Sequence, residues 1–127
     1  MIEYVANQYR RCRPWILKAI EHGGVSEQEI LDGLTTFHMQ LWEGEHCVVI
    51  TQDEVDTGAL FITVISGDDQ AMKEFQDKLE PQIIDWARTL GKTKLYGTGR
   101  RGWVRHAHRF GWKATPYQQG AIVERSI

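Results

Sequence analysis

Two hydrophobic rhythms run along the chain, one of three to four residues and one of two, and their order predicts an alternation of helices and strands. Pro14 suits the first residue of a helix, with Trp15-Ile16-Leu17 and Ala19-Ile20 as its apolar face and Gly23-Gly24 as its end. Ser26-Glu27-Gln28-Glu29 has the form of a capping box and should open a short helix through Ile30, Leu31 and Leu34. The period then drops to two: Phe37, Met39 and Leu41 alternate with His38, Gln40 and Trp42, as in a half-buried strand. Glu43-Gly44-Glu45 turns the chain into a second strand, Cys47–Ile50. Beyond the acidic turn Asp53–Gly58, Ala59–Ile65 reads as a more deeply buried strand, interrupted only by Thr63 and broken at Ser66-Gly67-Asp68-Asp69.

A long helical stripe follows, with Met72, Phe75, Leu79, Ile83, Trp86 and Leu90 at three- and four-residue steps. Pro81 should kink or split that helix, and Gly91 should stop it. Lys94–Tyr96 is a strand, Arg101–Phe110 a helix closed by Gly111, and Ala121–Arg125 a last strand. The order ααβββαβαβ puts hairpin strands first and alternating elements after them, which predicts a mixed α/β sheet flanked by helices. With 127 residues, no repeat and no linker-like tract, one domain over 1–127 is expected.

Composition narrows the function classes. At 42% hydrophobic and 25% charged residues the chain has a globular protein's balance, and no apolar run reaches the ~20 residues of a membrane-spanning helix. The early charges in MIEYVANQYRRCRPW argue against a signal peptide. Cys12 and Cys47 are expected as free thiols, and Cys12, between Arg11 and Arg13, could have a lowered pKa. A net charge of −2 hides an asymmetry. From residue 92 onward Lys92, Lys94, Arg100, Arg101, Arg105, Arg109, Lys113 and Arg125 face Glu124 alone, and the preceding part is acidic on balance. Segregated charge either marks a basic face for an anionic partner or is neutralised in space.

The stretch GTGRRGWVRHAHRFGW holds most of the candidate chemistry. Gly97, Gly99 and Gly102 match G-x-G-x-x-G after a strand, but the chain ends before a second mononucleotide half could follow, so no dinucleotide site is expected. On a helix, Trp103, Ala107 and Phe110 share an apolar face, and Arg101, Arg105, His108 and Arg109 gather opposite. Arg100 and Arg101 near a helix N-terminus could hold a phosphate or an acidic surface. His106 and His108 diverge on a helix, and His46-Cys47 lacks a partner motif, so no metal site is expected.

These elements resemble the GNAT acyltransferase fold over residues 26–127, most specifically at IIDWARTLGKTKLYG and RRGWVRHAHRFGWKA, with 1–25 as a helical N-terminal segment. RCRPWILKAIEHGG, QLWEGEHCVVITQ and FGWKA further resemble small GNAT-like proteins of tailed phages, among them the internal virion protein A group. The GNAT resemblance implies acetyl-CoA bound by its pyrophosphate on backbone amides of a Q/R-x-x-G-x-G/A loop at the head of the long helix. Here that junction is Ser66-Gly67-Asp68-Asp69, whose carboxylates stand where phosphates would sit. Like charges ~4–5 Å apart cost several kcal/mol once partly desolvated. The tyrosine that often protonates the leaving thiolate is replaced by Ala107; His106 or His108 could substitute, with Glu43 or Glu45 as a general base.

The expectation is therefore a GNAT-like phage protein without a cofactor, a non-catalytic interaction module in virion assembly or genome ejection. Arg100, Arg101, Arg105 and Arg109 would meet other virion proteins with an acidic surface, in the host cytoplasm during assembly or in the virion, with self-association open. The alternatives are an acetyl-CoA-dependent N-acyltransferase with a divergent loop, and a nucleic-acid-binding module, which a pI of about 6.2 disfavours.

Overall fold

A computed structural model describes the chain except Gly23, Asp56 and Arg101, and for Arg100, Trp103 and His106 it describes the backbone. Helices α1 (Glu3–Ile20) and α2 (Glu27–Thr35) precede the hairpin strands β1 (Met39–Glu43), β2 (Cys47–Asp53) and β3 (Ala59–Gly67). Next come α3 (Ala71–Glu74), a π-helical turn (Phe75–Leu79) and α4 (Glu80–Thr89), which run on as one bent helix. Strand β4 (Lys94–Arg100), helix α5 (Trp103–His106), a 3₁₀ turn (Ala107–Phe110) and strands β5 (Lys113–Tyr117) and β6 (Gly120–Ser126) complete it. The described residues build a six-stranded sheet in the order β1-β2-β3-β4-β6-β5. The β3–β4 pair is parallel and the others are antiparallel.

The sheet has a core on each face. Val48 and Ile50 of β2 pack with Tyr9, Cys12, Ile16, Ile30 and Leu34 from α1 and α2. Cys47 and Val49 point the other way, toward Phe75, Leu79, Ile83 and Ala87 of the bent helix. The expected elements are present, with differences that have local causes. Helix α1 begins well before Pro14, because its buried stripe of Tyr9, Cys12 and Ile16 starts upstream. Pro14 and Arg10 are both exposed, so water can serve the carbonyl that proline leaves without a donor. Phe37 is not in β1: it takes φ 65°, is 69% exposed, and turns the chain out of α2 before alternation starts at Met39. The Ser26 hydroxyl accepts from the Glu29 amide at 3.1 Å, but the Glu29 carboxylate takes the Ser26 hydroxyl at 3.2 Å, so the expected box closes on side chains.

Pro81 sits in the first turn of α4, and the chain widens into a π turn just before it. Phe75, Leu79, Ile83 and Ala87 are all buried at strict four-residue steps, a period longer than an ideal helix keeps on one face. Leu90, assigned to the stripe by sequence, is 41% exposed beyond the helix end, where Gly91 takes φ 76°. Strand β5 has no counterpart in the sequence reading; it is short, carries Pro116 and is a mostly exposed edge, so neither period marks it.

Candidate functional site

The sheet opens between β3 and β4. Their parallel ladder runs from Ala59↔Lys94 to Ile62↔Gly97 and stops. Beyond that point β3 stays with β2 as far as Cys47↔Gly67, and β4 stays with β6 as far as Arg100↔Gly120. The parting coincides with a bulge: Ile50 faces Val64 while Thr51 faces Ile62, so Thr63 is the extra residue on β3. The bulge swaps faces. Leu60 and Ile62 pack on the α3–α4 side, whereas Val64 packs on the α1 side. A regular strand would keep all three on one face. Gly97 lies at the fork, where a Cβ would come 2.8 Å from the Ile62 carbonyl oxygen, so glycine permits the close approach from which the strands diverge. Gly97 and Gly99 are thus strand residues paired with Val123 and Ala121, not a phosphate turn.

The fork encloses a cleft of about 740 Å³. Its walls are Thr63–Ser66 of β3 and Gly97–Gly99 of β4, and beyond the Ile62↔Gly97 pair their facing edges have no ladder partner across the gap among the described residues. Met72, Phe75 and Gln76 line it from the bent helix, Phe110 and Trp112 from the turn before β5, and Lys18, Ala19 and His22 from the end of α1. Val64 belongs to the α1 side and Phe75 to the opposite side, so the cleft has a mouth on each face of the sheet. The Thr63 Oγ1 atom is buried without a hydrogen-bond partner. A buried hydroxyl at a bulge beside unpaired strand edges is an arrangement that a ligand with amides can complete.

The loop at the head of α3 is closed by its own residues. The Asp68 amide donates to the His46 carbonyl at 3.0 Å, and the Asp68 carbonyl accepts from the Ala71 amide at 3.1 Å. One Asp68 carboxylate oxygen accepts from the Gln70 amide and the other meets His46 Nδ1, both at 2.8 Å. The His46 bond holds the Asp68 carboxyl below its ordinary pKa and raises the imidazole's. Gly67 is packed on backbone, since a Cβ there would lie 2.0 Å from the His46 carbonyl oxygen. Asp69 is exposed beside them.

The other sequence candidates lie elsewhere. Arg11 grips Glu43 through two nitrogens at 2.9 and 2.8 Å, and Glu43 and Glu45 border a separate hollow with Glu74 and Lys78. Neither glutamate lines the cleft. Ala107 is 1% exposed in the core, and His108 is exposed outside the cleft. Arg105 and Arg109 are exposed on α5 and the 3₁₀ turn; the Arg100 and His106 side chains, the core placement expected of Trp103, and Arg101 lie outside the described residues. Part of the basic segment is neutralised: Arg125 pairs with Glu80, Lys92 with Asp53 at 2.8 Å, and Lys94 with Glu124 at 3.6 Å. Cys12 does not have the lowered pKa suggested by its arginine neighbours. Burial and the Glu43 carboxylate push it up to about 12 and outweigh the opposing charge of Arg11, which is paired with that same carboxylate. Lys18, His22 and Gln76 were not singled out by sequence, and Thr63 was noted only as an interruption; a polar residue inside an apolar strand was the one visible clue.

No protein-family model matches the chain, and no curated protein matches it in sequence. Solved structures do. An acetyltransferase from Bacillus subtilis in complex with CoA superposes with a TM-score of 0.65 at 13% identity, covering 93% of this chain and 92% of that one. The IAA acetyltransferase from Bacillus cereus gives 0.63 at 14% identity, with 91% of each chain covered. N-acetylglutamate synthase from Neisseria gonorrhoeae, complexed with coenzyme A and N-acetyl-glutamate, gives 0.63 at 14% identity over 99% of this chain. This chain spans 33% of that synthase. The fold is therefore that of the GNAT acetyltransferases: a mixed α/β sheet flanked by helices, as the element order implied.

Proposed function

We propose that the chain binds an acyl thioester in the β3–β4 cleft and passes the acyl group to an amine, as an N-acyltransferase. The carrying observation is the fork itself, with two unpaired strand edges and the orphan Thr63 hydroxyl facing one cleft. An extended arm with amide groups, such as the pantetheine of CoA, would complete those edges as an added strand does. Neighbours of the same fold were solved with CoA, which supports the choice of ligand. His22 is the one imidazole among the described lining residues, and it would accept the proton that an attacking amine must lose.

The fit is unequal along such a ligand. The cleft suits the arm; the head of α3 does not suit a diphosphate, because Asp68 occupies the amides and adds charge. We assign no step to the diphosphate. Acetyl-CoA and S-acetyl-pantetheine should then stabilise the protein to similar extents in a thermal-shift titration. A bound ligand contributes about 2.7 kcal/mol at a hundredfold excess over Kd. No shift with either at millimolar concentration would retire the reading.

The filled loop, with Ala107 where a tyrosine acid is common, favours a second reading: a GNAT-fold interaction module of a phage virion, without catalysis. In that case the exposed Arg105 and Arg109, with Arg100 and Arg101, would hold an acidic partner surface. Neutralising all four should abolish partner capture and leave the fold intact; unchanged capture would exclude this face.

A further inference from the structure

The two mouths of the cleft differ in charge. Among the described lining residues the ionisable side chains are Lys18 and His22, both at the end of α1, and no carboxylate lines the cleft. The cations of α1 are otherwise engaged. Arg10 bonds Asn7, Arg11 the Glu43 carboxylate, and Arg13 the Glu27 carboxylate. Lys18 is exposed and has neither an ion pair nor a hydrogen bond among the described residues. A lysine in a helix's last turn also complements the helix dipole, which accounts for its place on α1 but not for its position on the rim of a cleft without acids. The carbonyls ending the helix favour a positive group beside it. A ligand with both signs therefore fits this mouth better than a simple anion or a simple amine.

From this we infer that the α1-side mouth takes a small amine bearing its own carboxylate, of the amino-acid class. Its carboxylate pairs with Lys18, and its nitrogen lies toward His22 and the fork. A polyamine or a lysine side chain, with no acid to offer, is a poor match. This deepens the acyl-transfer reading and rests on it for its meaning, but binding is measured without any thioester.

The test is an amide-resolved NMR titration of the full chain with matched pairs: L-alanine against ethylamine, L-phenylalanine against phenethylamine, and L-lysine against cadaverine. For at least one pair, saturable shifts should appear at residues 18–22 and at Val64, the cleft residue of β3 on the α1 side. Binding should weaken roughly tenfold when the carboxylate is absent, and by a similar factor in Lys18→Met, the loss of one charge-assisted contact. Lys18 is exposed, so the variant keeps its fold, and its spectrum shows that directly. Equal binding of amine and amino acid, undiminished binding to Lys18→Met, or no saturable shift with any probe overturns the inference. If amino acids fail while acetyl-CoA still stabilises the protein, the acceptor class is wrong and the thioester reading stands; the reverse outcome leaves the mouth a ligand site without that reading.

Discussion

The head of α3 and the β3 edge just before it are made of the same backbone groups, within one connected stretch, and treat them in opposite ways. At the head of α3 the amides of Asp68, Gln70 and Ala71 all find acceptors within the chain. Along Thr63–Ser66 the edge facing β4 has no ladder partner among the described residues, and a hydroxyl is buried beside it without a partner among them. Buried polar groups are almost always paired in folded proteins, and of the few buried side-chain atoms without a hydrogen bond among the described residues Thr63 Oγ1 is the one whose residue lines the cleft. The contrast holds elsewhere on the same sheet. Glu74 is 6% exposed, yet its carboxylate accepts from the Glu45 amide at 2.8 Å, the His46 amide at 2.9 Å and the Cys47 thiol at 3.1 Å. Glu80, 4% exposed, accepts from Trp112 Nε1 at 2.8 Å and pairs with Arg125. These two buried carboxylates are satisfied by the fold, whereas the Thr63 hydroxyl, which borders the cleft, is not.

If that distinction is right, the clamps carry stability and the fork carries binding. The largest effect is expected for Glu80→Ala, which strands the Trp112 N–H and the Arg125 guanidinium together. Breaking a buried pair typically costs 3–5 kcal/mol; with Arg125 about a third exposed, about 2–4 kcal/mol is expected by urea unfolding. A loss below 1 kcal/mol would show that the clamp is ornamental.

Glu74→Ala follows, at about 2–3 kcal/mol, because two backbone donors of the β1–β2 turn lose a charged acceptor. Its conservative partner Glu74→Gln sharpens the point through pH. Burial alone would raise the Glu74 pKa, but the His46 and Glu45 amides and the Cys47 thiol outweigh it and leave it below the ordinary 4.5. The depressed value means that these bonds stabilise the fold above pH 4.5, and that this share is lost as pH falls through the folded-state pKa. The stability gap between parent and Glu74→Gln should therefore be full at neutral pH and shrink below 4.5; a gap that grows on acidification contradicts the assignment.

Asp68→Ala moves the comparison itself. It frees the Gln70 amide and removes a charge, so acetyl-CoA affinity should rise by about tenfold or more, while S-acetyl-pantetheine affinity stays level. Equal gains for both ligands would place the effect outside the diphosphate. The smallest stability change is expected at the fork: Thr63→Val deletes a hydroxyl that has no partner, so unfolding should shift by no more than about 0.5 kcal/mol. Binding of the pantetheine arm should weaken none the less. A marked destabilisation instead would mean that the hydroxyl serves the fold.

Much of the architecture was present in the order of residues. The switch from a three-to-four-residue to a two-residue rhythm placed β1, β2 and β3, and glycines at 91 and 111 ended the segments before β4 and β5, because a left-handed residue is a local requirement. The GNAT-like succession and the acidic loop could also be read without coordinates. Glu43 and Glu45 illustrate the limit: as acids they qualified for a general base, but a hairpin turn carries them to Arg11 and Glu74 and away from the cleft. The same holds for Cys12, whose flanking arginines are neighbours in sequence but whose sulfur faces Glu43 at 3.6 Å.

What the chain determined by itself was its periodic content: which faces are apolar, where helices cap and stop, and which loop carries like charges. Tertiary structure alone decided that one extra residue at Thr63 turns β3 over, that Gly97 lets β4 touch and then leave it, and that the end of α1 closes one mouth of the gap with Lys18 and His22. Periodicity is a property of neighbours along the chain, whereas a cleft is set by strands that meet after long separation. No local pattern states where two such strands stop pairing.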